Sequence, residues 1–345
     1  MKSPNEIPMG QVIDALLDED TPLHPRYLYR FSDLTREDLS QLKQVWLSIP
    51  LWRRQALLED AGDLKESDYI LSFEALARFA LLDKDPKVRL LAVHVLWENE
   101  ERDLASVFLE MLKTETSVEV RAGLASALGR FIYLGDIEEL DADMLREIED
   151  YLLEVLKGTD DPLVRRCALE SLGYSQREEV IPLIEQAYNS QDKDWVGSAL
   201  FAMGRSADES WTEQVLKSIN HVIPTIRTEA ARAAGALELV ETTDVLKEML
   251  NDDDDQARMA AIWSLSQIGG EGVHAILEKL LENAEDEDNI DFIEAALDNL
   301  YFTEDMESLP ILNVIPDDLT GKDDDSDLFD EIDEAETLDD EDAVD

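Results

Sequence analysis

Arginine and aspartate recur at a regular spacing along the chain, and the chemistry of charged pairs is the first that the sequence suggests. One repeated position, here called the arginine slot, holds Arg89, Arg121, Arg165, Val196, Arg227 and Arg258. Aspartate stands four residues before four of these slots, at Asp85, Asp161, Asp192 and Asp254. This spacing favours a structural ladder of Asp–Arg ion pairs between neighbouring repeats. The alternative is a row of arginines that binds anions.

Histidines and carboxylates are the residues that would bind a metal or catalyse hydrolysis. The four histidines do not recur at one repeat position, whereas a metal site needs ligands that converge. His94 and His274 are therefore expected to be packed or surface residues. Acidic residues number 81, so a pair at glycosidase-like separation carries no information. The acidic run at 251–257 lacks the glycine of a calcium loop and is expected to be a turn. We predict no catalytic, cofactor-binding or metal-binding residue, and no enzyme.

The arginine slots lie in six copies of one unit, and these copies set the spacing. They are DPKVRLLAVHVLW (85–97), SVEVRAGLASALG (117–129), DPLVRRCALESLG (161–173), KDWVGSALFAMG (193–204), IPTIRTEAARAAG (223–235) and DQARMAAIWSLS (255–266). Successive slots are 32, 44, 31, 31 and 31 residues apart. We place the extra residues of the long step in a surface loop within 131–145.

Each unit predicts a pair of helices. Small residues lie three positions after the slot and apolar residues seven after it, which is helical spacing. An Asp-Pro pair at 85–86 and at 161–162 predicts a helix start, and the glycines at 129, 173, 204 and 235 predict left-handed helix ends. A second helix carries an apolar stripe whose members are 31 residues apart, at Ile184, Val215, Leu246 and Leu277. Cys167 lies on a first helix and is expected to be a small core residue.

The repeats resemble the HEAT-like repeats, in particular the short type named after phycobilisome lyases, over about residues 66–305. This resemblance implies an all-α fold, an α-solenoid of stacked helical hairpins. It leaves function open, because such repeats serve scaffolds, lyases, chaperones and hydroxylases. The branch similar to deoxyhypusine hydroxylase holds iron through His-Glu dipeptides. No His-Glu dipeptide occurs here, so the resemblance implies no iron site.

Acidic and aromatic residues of the repeats are the candidates for binding a partner. We expect the second helices to line a concave surface, where the candidates that flank the apolar stripe are Glu110, Glu185, Glu213, Glu248 and Glu278. These acids form a merely solvated face in the alternative interpretation. Trp97 and Trp211 are candidate exposed anchors for a partner, while packing in the core or between repeats is the favoured interpretation for both.

Net charge restricts the kinds of partner. The chain has a formal charge of −51 and an isoelectric point near 4.1. Such a charge repels phosphate backbones and anionic lipid, so neither nucleic acid nor a membrane is expected. No apolar run suits a signal peptide or a membrane span, which predicts a cytoplasmic protein. A single cysteine excludes an intramolecular disulfide.

Composition divides the chain into three regions. Residues 1–35 are predicted to be an N-terminal arm that packs Tyr27, Tyr29 and Phe31 on the first hairpins. Residues 36–315 form the predicted solenoid, and 316–345 a disordered acidic tail. Residues 317–345 contain 16 acidic residues and one lysine, and such a block repels itself.

The sequence favours a non-enzymatic interaction scaffold or adaptor, present as a monomer, whose acidic concave surface binds a basic protein or peptide. The alternatives are a lyase-like or hydroxylase-like enzyme of the HEAT-repeat family, and an assembly chaperone for a basic client. The tail is either a solubility segment or an element that speeds the association of a basic partner.

Overall fold

The computed structural model describes residues 7–68 and 70–308, and in these residues the chain forms helices and no β-strand. The predicted acidic tail lies outside the described residues. The α-helices are α1 (Met9–Leu17), α2 (Arg36–Val45), α3 (Leu51–Ser67), α4 (Glu74–Ala80), α5 (Pro86–Leu96), α6 (Arg102–Thr114), α7 (Val118–Asp136), α8 (Ala142–Lys157), α9 (Pro162–Leu172), α10 (Ile181–Tyr188), α11 (Lys193–Arg205), α12 (Thr212–Ser218), α13 (Pro224–Ala236), α14 (Thr243–Met249), α15 (Asp255–Ile268), α16 (Val273–Glu282) and α17 (Glu287–Ser308). Short 3₁₀ helices span Pro25–Phe31, Trp46–Ser48, Glu209–Trp211 and Val240–Thr242.

Stacked helical hairpins make up the body of the protein, as the repeats predict. The odd-numbered helices α3 to α17 are the first helices of the hairpins, and each packs against the next first helix along the chain. The even-numbered helices α4 to α16 are the second helices, and each packs against a neighbouring first helix. The fold is therefore an α-solenoid. Within 7–68 and 70–308, no helix has both the length and the apolar character to cross a bilayer.

Aspartates start several of the first helices. The Asp85 carboxylate accepts a hydrogen bond from the backbone N–H of Val88 at 3.0 Å, and Asp254 accepts one from Ala257 at 3.0 Å. Asp161 and Asp192 cap α9 and α11 in the same way. An N-terminal cap satisfies backbone donors that have no partner inside the helix and contributes about 1 kcal/mol.

The second helices carry the predicted apolar stripe into the core. Ile184, Val215, Leu246 and Leu277 are all buried. Burial of each such side chain stabilises the fold by roughly 1.5–3 kcal/mol. Because one hairpin cannot cover both of its faces, each hairpin depends on its neighbours for this burial.

Glycines near the ends of the first helices do not form left-handed caps, so this prediction is wrong. The four glycines, at 129, 173, 204 and 235, all have right-handed backbone. Their role is close contact between hairpins, because a Cβ at Gly173 would stand 2.7 Å from the carbonyl oxygen of Ala202. A Cβ at Gly204 would stand 3.0 Å from the Cα of Ala233. The left-handed residue that follows α11 is Ala207, with φ of 50°.

The insertion within 131–145 is helical and not an extended surface loop, which corrects the sequence prediction. It lengthens α7 as far as Asp136, and α8 begins at Ala142. Phe131, Ile132 and Leu134 are buried, so the added helical turn contributes to the core. Apolar residues at helical spacing explain the difference, since they gain more from burial than from solvent exposure.

The N-terminal segment is tied to the first hairpin by polar contacts as well as by aromatic packing. Tyr27 and Phe31 are buried as predicted, whereas Tyr29 is exposed, contrary to the prediction. The nearly inaccessible Arg53 of α3 donates a hydrogen bond to the Thr21 carbonyl oxygen at 2.9 Å, and it also donates to the Asp18 carbonyl. The boundary between arm and solenoid at residue 35 remains a prediction.

Candidate functional site

A cavity of about 500 Å³ lies along the layer of first helices. Its wall is formed by five consecutive first helices, α3, α5, α7, α9 and α11. Among the described residues, successive first helices pack closely along the whole stack, whereas of the second helices only α6 and α8 do so, and a stack curves toward its more closely packed layer. The first helices therefore line the concave surface, here called the trough, and the expectation that the second helices line it is wrong.

The close approach of the first helices explains the direction of this curvature. The layer of first helices is rich in alanine and glycine. At several of these glycines, the backbone of one first helix lies directly against residues of the next first helix. In contrast, the second helices carry bulky apolar stripes such as Leu246 and Leu277. A stack bends toward the layer whose elements stand closer together.

The charge of the trough is negative. Its ionisable acids outnumber its bases, with Glu59, Asp63, Glu66, Glu98 and Glu170 against Lys65 and Arg205. Lys65 is already paired with residues of the same cavity wall. Its Nζ lies 3.6 Å from the Glu98 carboxylate and donates a hydrogen bond to the Val95 carbonyl oxygen at 3.1 Å. Glu59 is paired with Lys87 at 2.7 Å, so the wall carboxylates without an ion pair among the described residues are those of Asp63, Glu66 and Glu170.

Two partly buried glutamates mark the middle of the first-helix layer. Glu170 of α9 accepts a hydrogen bond from the Ser198 hydroxyl at 2.6 Å. Glu229 of α13 accepts one from Arg232 at 2.7 Å, while its Oε2 is buried without a partner among the described residues. Burial raises the pKa of both carboxyl groups above the usual glutamate value, and the charge of Glu170 raises the pKa of Glu229 further.

Arg205 is the arginine that lines this acidic region. Its guanidinium stacks between two rings, 4.2 Å from the centroid of Phe201 and 4.7 Å from that of Tyr174. It donates to the backbone carbonyl of Glu170 at 3.0 Å and makes no ion pair with a carboxylate among the described residues. Arg205 is therefore held by aromatic stacking and a backbone acceptor, which leaves the Glu170 carboxylate facing the cavity.

One helical position supplies a cavity-lining side chain from each of four consecutive first helices. Five residues after the arginine slot stand His94, Ser126, Glu170, Phe201, Arg232 and Trp263. The first four line the cavity. The surrounding positions are mostly alanine and leucine, so variety at this one position is the sequence signal that identifies the inner surface. Sequence reasoning did not use this signal, and it missed Glu170, Arg205 and Glu229.

The two candidate tryptophans have different environments. Trp97 is 53% exposed and lines the trough beside His94. Trp211 is only 3% exposed, so it packs in the core, as the favoured interpretation predicts, and it is not the exposed anchor that the alternative proposed. Trp211 lies in the 3₁₀ turn that enters α12, where burial of its ring supports the hairpin.

The candidate glutamates of the second helices are exposed, but they stand apart from the trough. Their positions are Glu110, Glu185, Glu213, Glu248 and Glu278, on α6, α10, α12, α14 and α16. The structure brings Glu185 and Glu213 together around a shallow groove between α10 and α12. Glu110 instead pairs with Lys113 of its own helix at 2.8 Å. Binding of a partner by these residues remains a prediction.

Three of the six arginine slots form rungs between hairpins, with partners other than those predicted. Arg89 binds both carboxylate oxygens of Glu115, at 2.7 and 2.8 Å. The other rungs are Arg54 to Asp83, Arg121 to Asp160 and Arg227 to Asp252. Each of these carboxylates lies just before the next first helix. Sequence reasoning missed Arg54 and Asp83 because α3 lacks the repeated motif.

The aspartates four residues before the slots do not serve as rungs, so that part of the prediction is wrong. Asp85, Asp161, Asp192 and Asp254 use their oxygens to cap their own helices. Arg258 pairs with Asp255 of its own helix. Arg165 forms no ion pair with any described residue: its Nε donates to the Leu156 carbonyl oxygen at 2.9 Å.

The histidines and the cysteine take up separate local roles. His24 and His221 each accept a backbone N–H two residues ahead, and His274 contacts the Tyr301 hydroxyl at 2.6 Å. Among residues 7–68 and 70–308, no three potential metal ligands lie together. Cys167 is partly buried against the core, and burial raises the pKa of its thiol.

Comparison with known proteins identifies the repeat. A model of HEAT repeats matches residues 197–265 and 212–298. Similar solved structures include YibA from E. coli (15% identity over 82% of this chain and 98% of that one, TM-score 0.40). The CpcE–CpcF complex of phycocyanin lyase from Nostoc sp. PCC7120 is similar at 19% identity, over 66% of this chain and 94% of that one, with a TM-score of 0.43. Human deoxyhypusine hydroxylase is similar at 17% identity, over 75% and 95%, with a TM-score of 0.34. No curated protein matches the sequence.

The matched segment covers the hairpins from α11 to α17, and the same unit extends back along the chain. The preceding first helices repeat the capping aspartate or serine, the arginine slot and the small residues of the matched ones. Consecutive hairpins from α3 onward pack in the same manner. The chain therefore carries HEAT repeats over residues 197–298, and the hairpins that precede them repeat the same unit.

Proposed function

We propose that this chain is a non-enzymatic scaffold or adaptor whose trough binds a basic segment of a partner protein. The single observation that carries the proposal is the acidic cavity that spans five consecutive first helices. A cavity of about 500 Å³ is large enough for one or two long side chains. The formal charge of −36 on residues 1–316 attracts a basic segment and repels nucleic acid.

Apolar surface beside the carboxylates suits the stems of lysine and arginine. Trp97, Phe201 and Leu91 line the same cavity as Glu170. A long basic side chain places its methylene groups against such surface while its charged end meets the carboxylate. A cation beside Glu170 also offsets the desolvation that raises the pKa of this group, so binding and ionisation reinforce one another.

A peptide-binding experiment with paired variants tests this proposal. A fluorescein-labelled arginine-rich peptide is titrated with the full chain, and its anisotropy is recorded at low and at physiological salt. We expect Glu170→Gln combined with Glu66→Gln to weaken binding by about tenfold, which corresponds to about 1.4 kcal/mol. The matched control is Glu185→Gln combined with Glu213→Gln, which removes the same charge from the groove between α10 and α12.

The comparison of the two double variants decides the outcome. An equal loss in both indicates attraction by net charge alone, and a larger loss in the control places binding on the second helices. Either result contradicts binding in the trough. Both variants keep the approximate shape of the side chains and make the same exchange of a carboxylate for an amide, so a difference between them reports position.

A further inference from the structure

The arginine ladder is interrupted at Arg165. The residue six positions before the following slot supplies the carboxylate at Asp83, Glu115 and Asp252. The equivalent residue that faces Arg165 is Ser190. Arg165 is thus a ladder arginine whose rung partner is replaced by an uncharged residue.

Backbone contacts show that Ser190 occupies the equivalent position in space. The Asp83 carboxylate accepts the backbone N–H of Asp85 at 2.8 Å, and Asp252 accepts that of Asp254 at 2.9 Å. The Ser190 hydroxyl accepts the N–H two residues ahead at 3.1 Å in the same way. Each aspartate has a second oxygen for the arginine, whereas serine has none. Ser190 therefore keeps the backbone contact of a rung residue but lacks the negative charge.

Arg165 is left with a guanidinium that faces a cavity. Its Nε donates to the Leu156 carbonyl, and its Cζ lies 5.3 Å from the ring centroid of Trp195. The terminal nitrogens donate to no acceptor among the described residues. The cavity beside them measures about 400 Å³, and Lys157, which has no ion pair within the described part of the chain, lines the same wall.

We propose that this cavity, formed by the ends of α8, α9, α10 and α11, is a binding site for an oxyanion on an apolar stem. The group is a carboxylate or a phosphate that takes the place of the missing rung. Two cations and the Ser190 hydroxyl supply donors, and Leu183, Ala187 and the Trp195 ring supply apolar contact for the stem. This site is distinct from the proposed function, because it selects the opposite charge and lies outside the lining of the trough.

The binding site is tested through thermal stability. A ligand that binds only the folded state raises the melting temperature. The full chain is heated with inorganic phosphate or with glutarate, and with potassium chloride at the same ionic strength, because screening alone stabilises an acidic protein. We expect a rise of several degrees beyond the chloride control with at least one of the two probes.

Three variants assign the effect to the missing rung. Arg165→Gln removes the guanidinium, so the additional rise is expected to disappear. Ser190→Asp restores the rung from within the chain, so it is expected to raise the melting temperature without any anion and to abolish the response to anions. Arg102→Gln removes an exposed arginine that has no ion pair among the described residues, and it is expected to keep the response.

The two probes also distinguish the kind of anion. A response to phosphate alone indicates a phosphorylated ligand, and a response to glutarate alone indicates a carboxylate. No response of the unmodified chain beyond the chloride control overturns the proposal, as does an unchanged response in Arg165→Gln. A response that persists in Ser190→Asp also contradicts it, because the introduced carboxylate occupies the same position.

Discussion

The guanidinium of Arg227 binds both carboxylate oxygens of Asp252, at 2.8 and 2.6 Å, across the boundary between two hairpins. The side chains are only 17% and 10% exposed. Arg227 also donates to the backbone carbonyl of His221 at 2.8 Å. One arginine therefore joins its own helix α13 to the loops on both sides of the hairpin. A bidentate, partly buried pair is stronger than most surface ion pairs.

Loss of this rung is expected to destabilise the solenoid. Arg227→Gln leaves the Asp252 carboxylate without its partner, and we expect the free energy of unfolding to fall by about 1–3 kcal/mol. The measurement is the midpoint of urea denaturation followed by circular dichroism. Arg146→Gln is the control, because Asp143 is the one ion-pair partner of Arg146 among the described residues, in an exposed contact at 3.4 Å. A loss in the control as large as in Arg227→Gln contradicts a special role for the rung.

Acid is expected to weaken the same contact. Hydrogen bonds from Arg227 hold the pKa of the Asp252 carboxyl group below its usual value. A depressed folded-state pKa contributes stability above the unfolded-state pKa, and this stability is lost as the pH falls through the folded-state pKa. The difference in melting temperature between the unmodified chain and Asp252→Asn should thus be full at neutral pH and shrink below the usual aspartate range. A difference that does not depend on pH contradicts the ionic nature of the rung.

Glu170, the partly buried glutamate of the trough, is expected to behave in the opposite way. Burial raises the pKa of Glu170, so its contribution to stability is present below the unfolded-state pKa and is lost as the pH rises through the folded-state pKa. Glu170→Gln is therefore expected to raise the melting temperature at neutral pH, with a gain that vanishes in acid. The exposed Glu185→Gln serves as the control. A lower melting temperature of Glu170→Gln at neutral pH contradicts the assignment.

The fold was predictable from the sequence because one short motif encodes both the start and the inner surface of each helix. Asp85 and Asp254 cap helices where the motif places them, and the stripe from Ile184 to Leu277 is buried. The bounds of the insertion were not predictable, because Phe131 and Ile132 suit a loop that packs on the core as well as a longer helix. Only their burial in α7 distinguishes the two.

The direction of curvature and the partners of the ladder were not predictable from a single repeat. Curvature depends on the relative spacing of two helical layers, and this spacing follows from contacts such as Gly173 with Ala202 that join different repeats. Glu115 and Asp252 lie between helices, where the sequence alone predicts an ordinary solvent-exposed carboxylate. Their role becomes visible only when the preceding hairpin brings an arginine to them.

The glycines that allow close packing give the most direct test of the hairpin contacts. At Gly173 an added Cβ would stand 2.7 Å from the Ala202 carbonyl oxygen and 2.8 Å from the Ala202 Cα. Both atoms belong to backbone, so the contact can be relieved only if two hairpins move apart. We expect Gly173→Ala to lower the free energy of unfolding by about 1–3 kcal/mol, although alanine is the better helix former. Urea denaturation measures the change.

Gly197 is the matched control, since it lies inside α11 on the same layer of first helices. A Cβ there would stand 3.7 Å from the Glu229 Cγ, which is an ordinary van der Waals contact. Gly197→Ala is therefore expected to stabilise the protein by about 0.5–1 kcal/mol through helix propensity alone. The two substitutions are expected to change the free energy of unfolding in opposite directions only if the distance between first helices determines the effect. Stabilisation by both substitutions would show that the hairpins yield easily, and destabilisation by both would point to a general intolerance of this layer to added volume.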